Sequence, residues 1–301
     1  MRDNPLLLSF AGLSIACELV VLFSLLKLWS AGELPKSSAT YYGLNIWLLV
    51  ILLLSHCIDI VFTPFLMTVS LTEDSFVCSL HGVCYIYSTL WFYSISMFVA
   101  VETFVYANSH NVLHSQSFYK VYFFHTRLRV YVILSFFASS AEMIFMSKTV
   151  GFGRNILACT FRGTYGPNTA VSLSNVWKFH AYPAVTFSIS VVSIFCTVIA
   201  LRARGNMKNS DTLKIASRMS LLPLLGFFPW VTVILAKYNL VILPVREIAA
   251  LRGTCISLFI FVMNDHVRKY VMQKICQCYA REHHNAGDLE EDRDIRYVEL
   301  D

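Results

Sequence analysis

Charge is scarce in this sequence. Of its 301 residues only 14% are Asp, Glu, Lys or Arg, against 56% hydrophobic, and the mean hydropathy is +0.58. A soluble domain with that balance would expose large apolar patches, so lipid is the expected solvent for most of the chain. Long polar stretches are missing too, which leaves no large globular domain to place beside the apolar segments. No zinc-ligand pair, serine elbow or Gly-rich phosphate loop occurs, which removes the enzyme classes that those motifs serve. His56 and Asp59 lie one turn apart, but no third ligand stands at a recognisable spacing, so neither a metal nor another cofactor is expected.

What the chain does have is apolar runs. A spanning helix needs about 20 mainly apolar residues, and seven such stretches can be drawn: Leu6 to Trp29, Leu44 to Val69, Val77 to Tyr106, Leu128 to Met146, Trp177 to Leu201, Ile215 to Lys237 and Leu243 to Met263. The expected fold class is therefore all-α, a seven-transmembrane helix bundle over residues 1–264. A juxtamembrane amphipathic helix over 265–281 and a disordered acidic tail over 282–301 follow it. The first apolar run is longer than a signal-peptide core and no clear small-residue cleavage site follows, so it reads as a span. Pro183, Pro223, Pro229 and Pro244 fall in the last three spans, where neighbouring helices can re-satisfy the backbone groups that proline frees.

Lys and Arg set the expected orientation. They gather in one set of connections, among them Lys120, Arg127 and Arg129, then Arg202, Arg204, Lys208 and Lys214, then Arg268, Lys269 and Lys274. The positive-inside rule puts these in the cytoplasm, the N-terminus outside and the tail inside. The net charge of +5 is then a topology signal, with no nucleic-acid partner implied. Of nine cysteines, only Cys78 and Cys159 fall on the expected outer side, where a disulfide between them is favoured. Cys17, Cys57, Cys84, Cys196 and Cys255 lie inside spans and read as small apolar packing residues. Cys276 and Cys278 sit just past the last span, where palmitoylation is one reading and inert thiols the other.

Several short motifs then carry a resemblance to a known family. Glu102, Thr103 and Phe104 stand 24 residues after Cys78, at the inner end of the third span. Cys17 to Val21 lies in the first span, and Pro64 follows Ser55 in the second. Gly226, Phe227, Phe228, Pro229, Trp230 lies in the sixth, Cys255 to Phe259 in the seventh, and Asn264, Asp265, Val267, Arg268 open the amphipathic stretch. In order and spacing the chain resembles the rhodopsin-like (class A) G-protein-coupled receptors over nearly its whole length.

In that resemblance the acid and aromatic of the third-helix triplet survive as Glu102 and Phe104, while Thr103 replaces the arginine. Glu18 replaces an asparagine, Ser55 a sodium-binding aspartate and Phe227 a toggle tryptophan. Of the last-span motif only an aromatic, Phe259, is kept. Such losses are similar to those of divergent receptors encoded by herpesviruses, and a rapidly diverging invertebrate chemoreceptor would look the same.

The resemblance implies heterotrimeric G protein as partner at the cytoplasmic face. With Thr103 and Ser55 in place of two family restraints on the resting state, basal, ligand-independent coupling is expected. No residue identifies a ligand, and there need not be one. Retinal is not expected, because the seventh span holds no lysine. The alternatives are a receptor-fold scaffold that does not signal and, less favoured, a transporter, whose internal repeats are missing here.

Ionisable residues inside spans usually face the bundle interior. Glu18, Ser55, Asp59 with neighbouring His56, Glu102, Glu142 and Arg252 are candidates for an interior polar network, with a link between Glu18 and Arg252 expected because the first and seventh helices adjoin in this fold; Glu142 reads more simply as individually paired, protonated or near a headgroup. Finally, residues 267–301 contain no Ser or Thr, so the tail cannot carry a phosphorylated arrestin-recruiting cluster. It ends instead in Tyr297, Val298, Glu299, Leu300, Asp301, with the tyrosine-to-apolar spacing of an endocytic signal read by a clathrin adaptor.

Overall fold

The computed structural model describes residues 5–34, 39–68, 76–109, 117–149, 152–154, 159–161, 173–203, 210–237, 245–274 and 276. Seven long helices follow one another: α1 (Pro5–Ser30), α2 (Ala39–Thr68), α3 (Phe76–Ser109), α4 (Ser117–Thr149), α5 (Leu173–Ala203), α6 (Ser210–Lys237) and α7 (Val245–Met263). A short α8 (Asp265–Lys274) turns away from α7 by 96°. Between α4 and α5 stand two three-residue strands, β1 (Phe152–Arg154) and β2 (Cys159–Phe161), paired antiparallel with Phe152 opposite Phe161 and Arg154 opposite Cys159. The sequence carries no strand signal there, since three residues are too few to show alternation.

Helices are the only open-ended way to satisfy every backbone group inside lipid. Five described segments are long and apolar enough on their own to cross a bilayer, in α1 to α5, and a sixth passes when α7 and α8 are counted as one bent span. In α6 the described apolar stretch is shorter, Leu221–Thr232. Most helices run past the apolar spans drawn from sequence, α4 by more than two turns at its start. The helix continues past the apolar stretch because its hydrogen bonds do not depend on hydropathy.

The ends of α1 and α8 show local causes. Pro5 opens α1, where its missing N–H costs nothing. Gly32, with φ +71°, closes it: Gly32 N–H donates to Trp29 O at 3.1 Å and Glu33 N–H to Leu28 O at 3.0 Å, a Schellman turn that needs a left-handed residue. Asn264 caps α8, its Oδ1 accepting from the N–H groups of His266 and Val267 at 3.1 and 3.2 Å. Arg268 ties the corner by donating to Val262 O and to Asp265. Val267 is fully buried and Tyr270 and Val271 pack on the bundle core, so α8 is amphipathic as its sequence suggests.

The bundle is arranged with its polar side inward. Val185, Ile189, Val192, Phe195 and Ile199 of α5 lie exposed on one face, while Thr186, Ser190 and Thr197 are buried. The third helix is the hub: α3 packs on α2, α4, α5, α6 and both strands, while α1 packs on α2 and α7. Hydroxyl rungs join α3, α4 and α5. Trp91 Nε1 donates to Ser135 Oγ at 2.9 Å, Ser94 pairs with Ser139 at 3.0 Å and with Tyr182, and Tyr87 meets Ser140 at 3.3 Å. Such rungs supply direction where no hydrophobic force acts between helices. Cys57 and Cys255 are exposed on helix surfaces, and Cys17, Cys84 and Cys196 only partly covered, so the span thiols face outward more than the packing reading expects.

Candidate functional site

The motif residues of the sequence meet in three places along the bundle. At the end of α3, Glu102 is buried and forms an ion pair with Arg127 of α4, Oε1 to Nη2 at 3.2 Å. Thr103 is buried too, and its hydroxyl donates back to Val99 O at 2.8 Å, so it presents nothing outward. Phe104 is half-buried. One turn away the same two helices meet again, where the rings of Phe98 and Tyr131 stack with centroids 4.7 Å apart and planes 18° off parallel. The triplet's missing arginine therefore does not leave its acid unpaired, because a neighbouring helix provides one. In the sequence Arg127 stands out only as one more topological charge, since nothing in one dimension relates its depth to that of Glu102.

The second place is the interior between α1, α2, α3 and α7. Glu18 is 0% exposed, and its Oε1 lies 2.9 Å from His56 Nδ1. This contact joins the buried carboxyl group of α1 to the imidazole of α2. Glu18 thus meets His56 as well as the expected neighbour Arg252. Arg252 is buried, within electrostatic reach of Glu18, and its guanidinium carbon sits 4.5 Å over the ring centroid of Phe92.

Gly253 is what lets Glu18 approach α7: a Cβ there would come within 1.9 Å of Glu18 Oε1 and 2.7 Å of His56 Cε1. A turn earlier in α1, Ser14 hydrogen-bonds Ala250 O and pairs with Thr254 Oγ1 at 2.8 Å. Ser55 is buried and Asp59 half-buried. His56, one turn before Asp59 on α2, is turned to Glu18. Gly253 and Phe92 escape sequence reading because neither carries a chemical signal of its own.

The third place is aromatic. Phe227 is fully buried, stacks on Tyr93 with centroids 5.0 Å apart, and meets Phe187 edge-on at 5.4 Å. Trp230 donates from Nε1 to His180 Nδ1 at 3.2 Å, and Pro229 is buried beside it. Gly226 abuts Phe92, whose Cζ a Cβ would approach to 2.9 Å, so the aromatic layer adjoins the Arg252 site. Phe259 packs partly buried on the core of α7. Tyr85 stacks on His81 at 6.0 Å.

At the other end of α3 from Glu102, Cys78 is buried and disulfide-bonded, and β2, which begins at Cys159, packs against that helix. Cys276 is exposed beyond α8. Cys278, Tyr297 and Leu300 lie outside the described residues, as does the chain between α8 and residue 281 apart from Cys276.

Neither a protein-family model nor a curated protein matches the sequence. Among solved structures the chain is similar to squid rhodopsin, with a TM-score of 0.60 and 11% identity over 92% of this chain and 87% of that one. So low an identity carries the architecture and none of the chemistry. The chain is a multi-pass membrane protein with the rhodopsin-like seven-helix fold.

Proposed function

We propose that this protein is a divergent receptor that couples to heterotrimeric G protein at the end of the bundle where α3 closes and α8 begins, with the N-terminus outside the cell. The observation that carries this reading is Glu102: the triplet acid is buried at the end of α3, held by a basic side chain, inside a rhodopsin-like fold. The pattern of motif losses supports a receptor of the virus-encoded kind, at the plasma membrane of the host cell.

Coupling is basal and needs no ligand in this reading, because the positions of two family restraints hold Thr103 and Ser55. GTP turnover on co-expressed G proteins tests it: membranes with the protein should exceed empty-vector membranes for at least one G-protein class. Turnover equal to empty vector across all classes would favour the second reading, a scaffold with the receptor fold. The observation on that side is Thr103, whose hydroxyl is folded back onto its own helix and offers no charge to a partner.

Three further assignments complete the proposal. Cys78 pairs with Cys159, which joins the strand pair to the top of α3. Cys276 and Cys278 carry palmitate, which would hold the end of α8 at the lipid surface. Tyr297 and Leu300 bind a clathrin adaptor in extended form and drive ligand-independent uptake into endosomes. Antibody-feeding uptake should fall to background in Tyr297→Ala and partly in Leu300→Ala, with basal turnover kept. Unchanged uptake in Tyr297→Ala would remove the adaptor from the proposal.

A further inference from the structure

In an α-helix each N–H donates to the carbonyl four residues earlier, so Thr254 and Ala250 make up one rung of α7. Both ends of that rung are also engaged by α1. Thr254 N–H donates to Ser14 Oγ at 3.1 Å, and the Ser14 hydroxyl donates to Ala250 O at 2.5 Å. The only proton of Ser14 is then committed, so in its 2.8 Å contact with Thr254 Oγ1 the threonine hydroxyl is the donor. The one donor and both acceptor sites of a fully buried serine therefore converge on a single step of another helix.

A side chain inserted into this ladder is one of the few identifiable causes of a helix bend. Residues 246–263 contain no proline, which leaves the serine as the breaker of this helix. Gly253 weakens the same step, since among residues other than proline glycine is the least favourable in a helix interior. Across the helix axis the step is held firmly. Glu18, one turn after Ser14 on α1, fills the space that a Cβ at Gly253 would need, and Arg252 is anchored over the ring of Phe92 on α3. A segment that is weak along its axis and fixed across it has the properties of a pivot.

We propose that residues 250–254 form a hinge in α7 with Ser14 of α1 as its pin, so that the second half of α7 turns while the first half stays docked. The corner after α7 would turn with it, because Asn264 N–H donates to Ile260 O and Arg268 to Val262 O, both at 2.9 Å. The inference goes beyond the receptor reading and stands apart from it, since neither its residues nor its readout involves G protein.

Hydrogen–deuterium exchange on purified full-length protein in lipid nanodiscs, read on peptides spanning 248–258, distinguishes a hinge pin from a simple strut. The two roles predict opposite signs. Ser14→Ala removes the competing hydroxyl and returns Thr254 N–H to Ala250 O alone, so a hinge closes and exchange should slow about threefold, the effect of one average hydrogen bond between membrane helices. Ser14→Thr keeps the hydroxyl and should keep the wild-type rate. Thr254→Val removes the hydroxyl pair but leaves the backbone N–H on Ser14, so it should also exchange as the wild type does. Exchange that is unchanged or faster in Ser14→Ala, or loss of its cooperative unfolding transition, would mark the serine as a strut and overturn the hinge.

Discussion

Glu18 and Glu102 are both carboxylates taken out of water in the same bundle, but their surroundings are built differently. Glu102 lies near the end of α3, and one long side chain from α4 reaches it while staying partly exposed. Glu18 lies in the middle of α1, fully covered, and needs neighbours from two other helices: His56 on α2, and Arg252 and Gly253 on α7. The difference follows from depth. Near a helix end a basic residue can snorkel, so one partner is enough and its cost is shared with solvent. At mid-span the compensation has to be assembled by tertiary structure, and every participant is then held to a tight geometry.

The strongest test of that contrast is Gly253→Val. Its branched side chain has to occupy the space of Glu18 Oε1 and the edge of His56, displacing a buried charge, so a loss of about 3–5 kcal/mol is expected. Surface-expressed protein with a cooperative unfolding transition should be nearly absent. A wild-type midpoint even for Gly253→Ala would show that α1 and α7 do not meet there. Next in size is Arg252→Met, which removes the cation facing Glu18 and Phe92 and should cost about 3 kcal/mol. Adding Glu18→Gln should recover part of that loss, and simple additivity in the double variant would deny the coupling.

Smaller effects belong to the uncharged seam. Ser94→Ala removes two interhelical hydroxyl contacts, to Ser139 and Tyr182, and should lower stability by about 1 kcal/mol, within the range for hydrogen bonds between membrane helices. Thermal melts in nanodiscs resolve this from the charged-site variants. The smallest change is expected at the lipid face. Cys57→Ala and Cys255→Ala should stay within about 0.5 kcal/mol of wild type, as surface substitutions do. A larger effect at either thiol would mean that this face is covered in the membrane.

How far the site was legible depended on the kind of residue. Glu18, Glu102 and Arg252 announce themselves, because an ionisable group in an apolar run needs a reason. The Asn264 corner was also visible, from a cap followed by amphipathic spacing. Arg127 was visible but its pairing with Glu102 was not, since a basic residue at the edge of a span already has a sufficient topological explanation. His180, which accepts from Trp230, and Gly253, which makes room for Glu18, gave no signal, because a histidine near a helix start and a glycine in a helix are both ordinary.

The sequence by itself determined that this chain lives in lipid, that it crosses it as helices and that an amphipathic turn follows the last one. Each of these is a local property: hydropathy summed over one segment, hydrogen bonds closed within one helix, a cap set by neighbouring residues. The tertiary structure alone decided which charge answers which. Glu102 takes its arginine from α4 instead of from the next residue, and Glu18 turns to His56 while Arg252 settles over Phe92. Those choices depend on the rotation and depth of each helix against its neighbours, quantities that side-chain packing sets and that no single segment encodes.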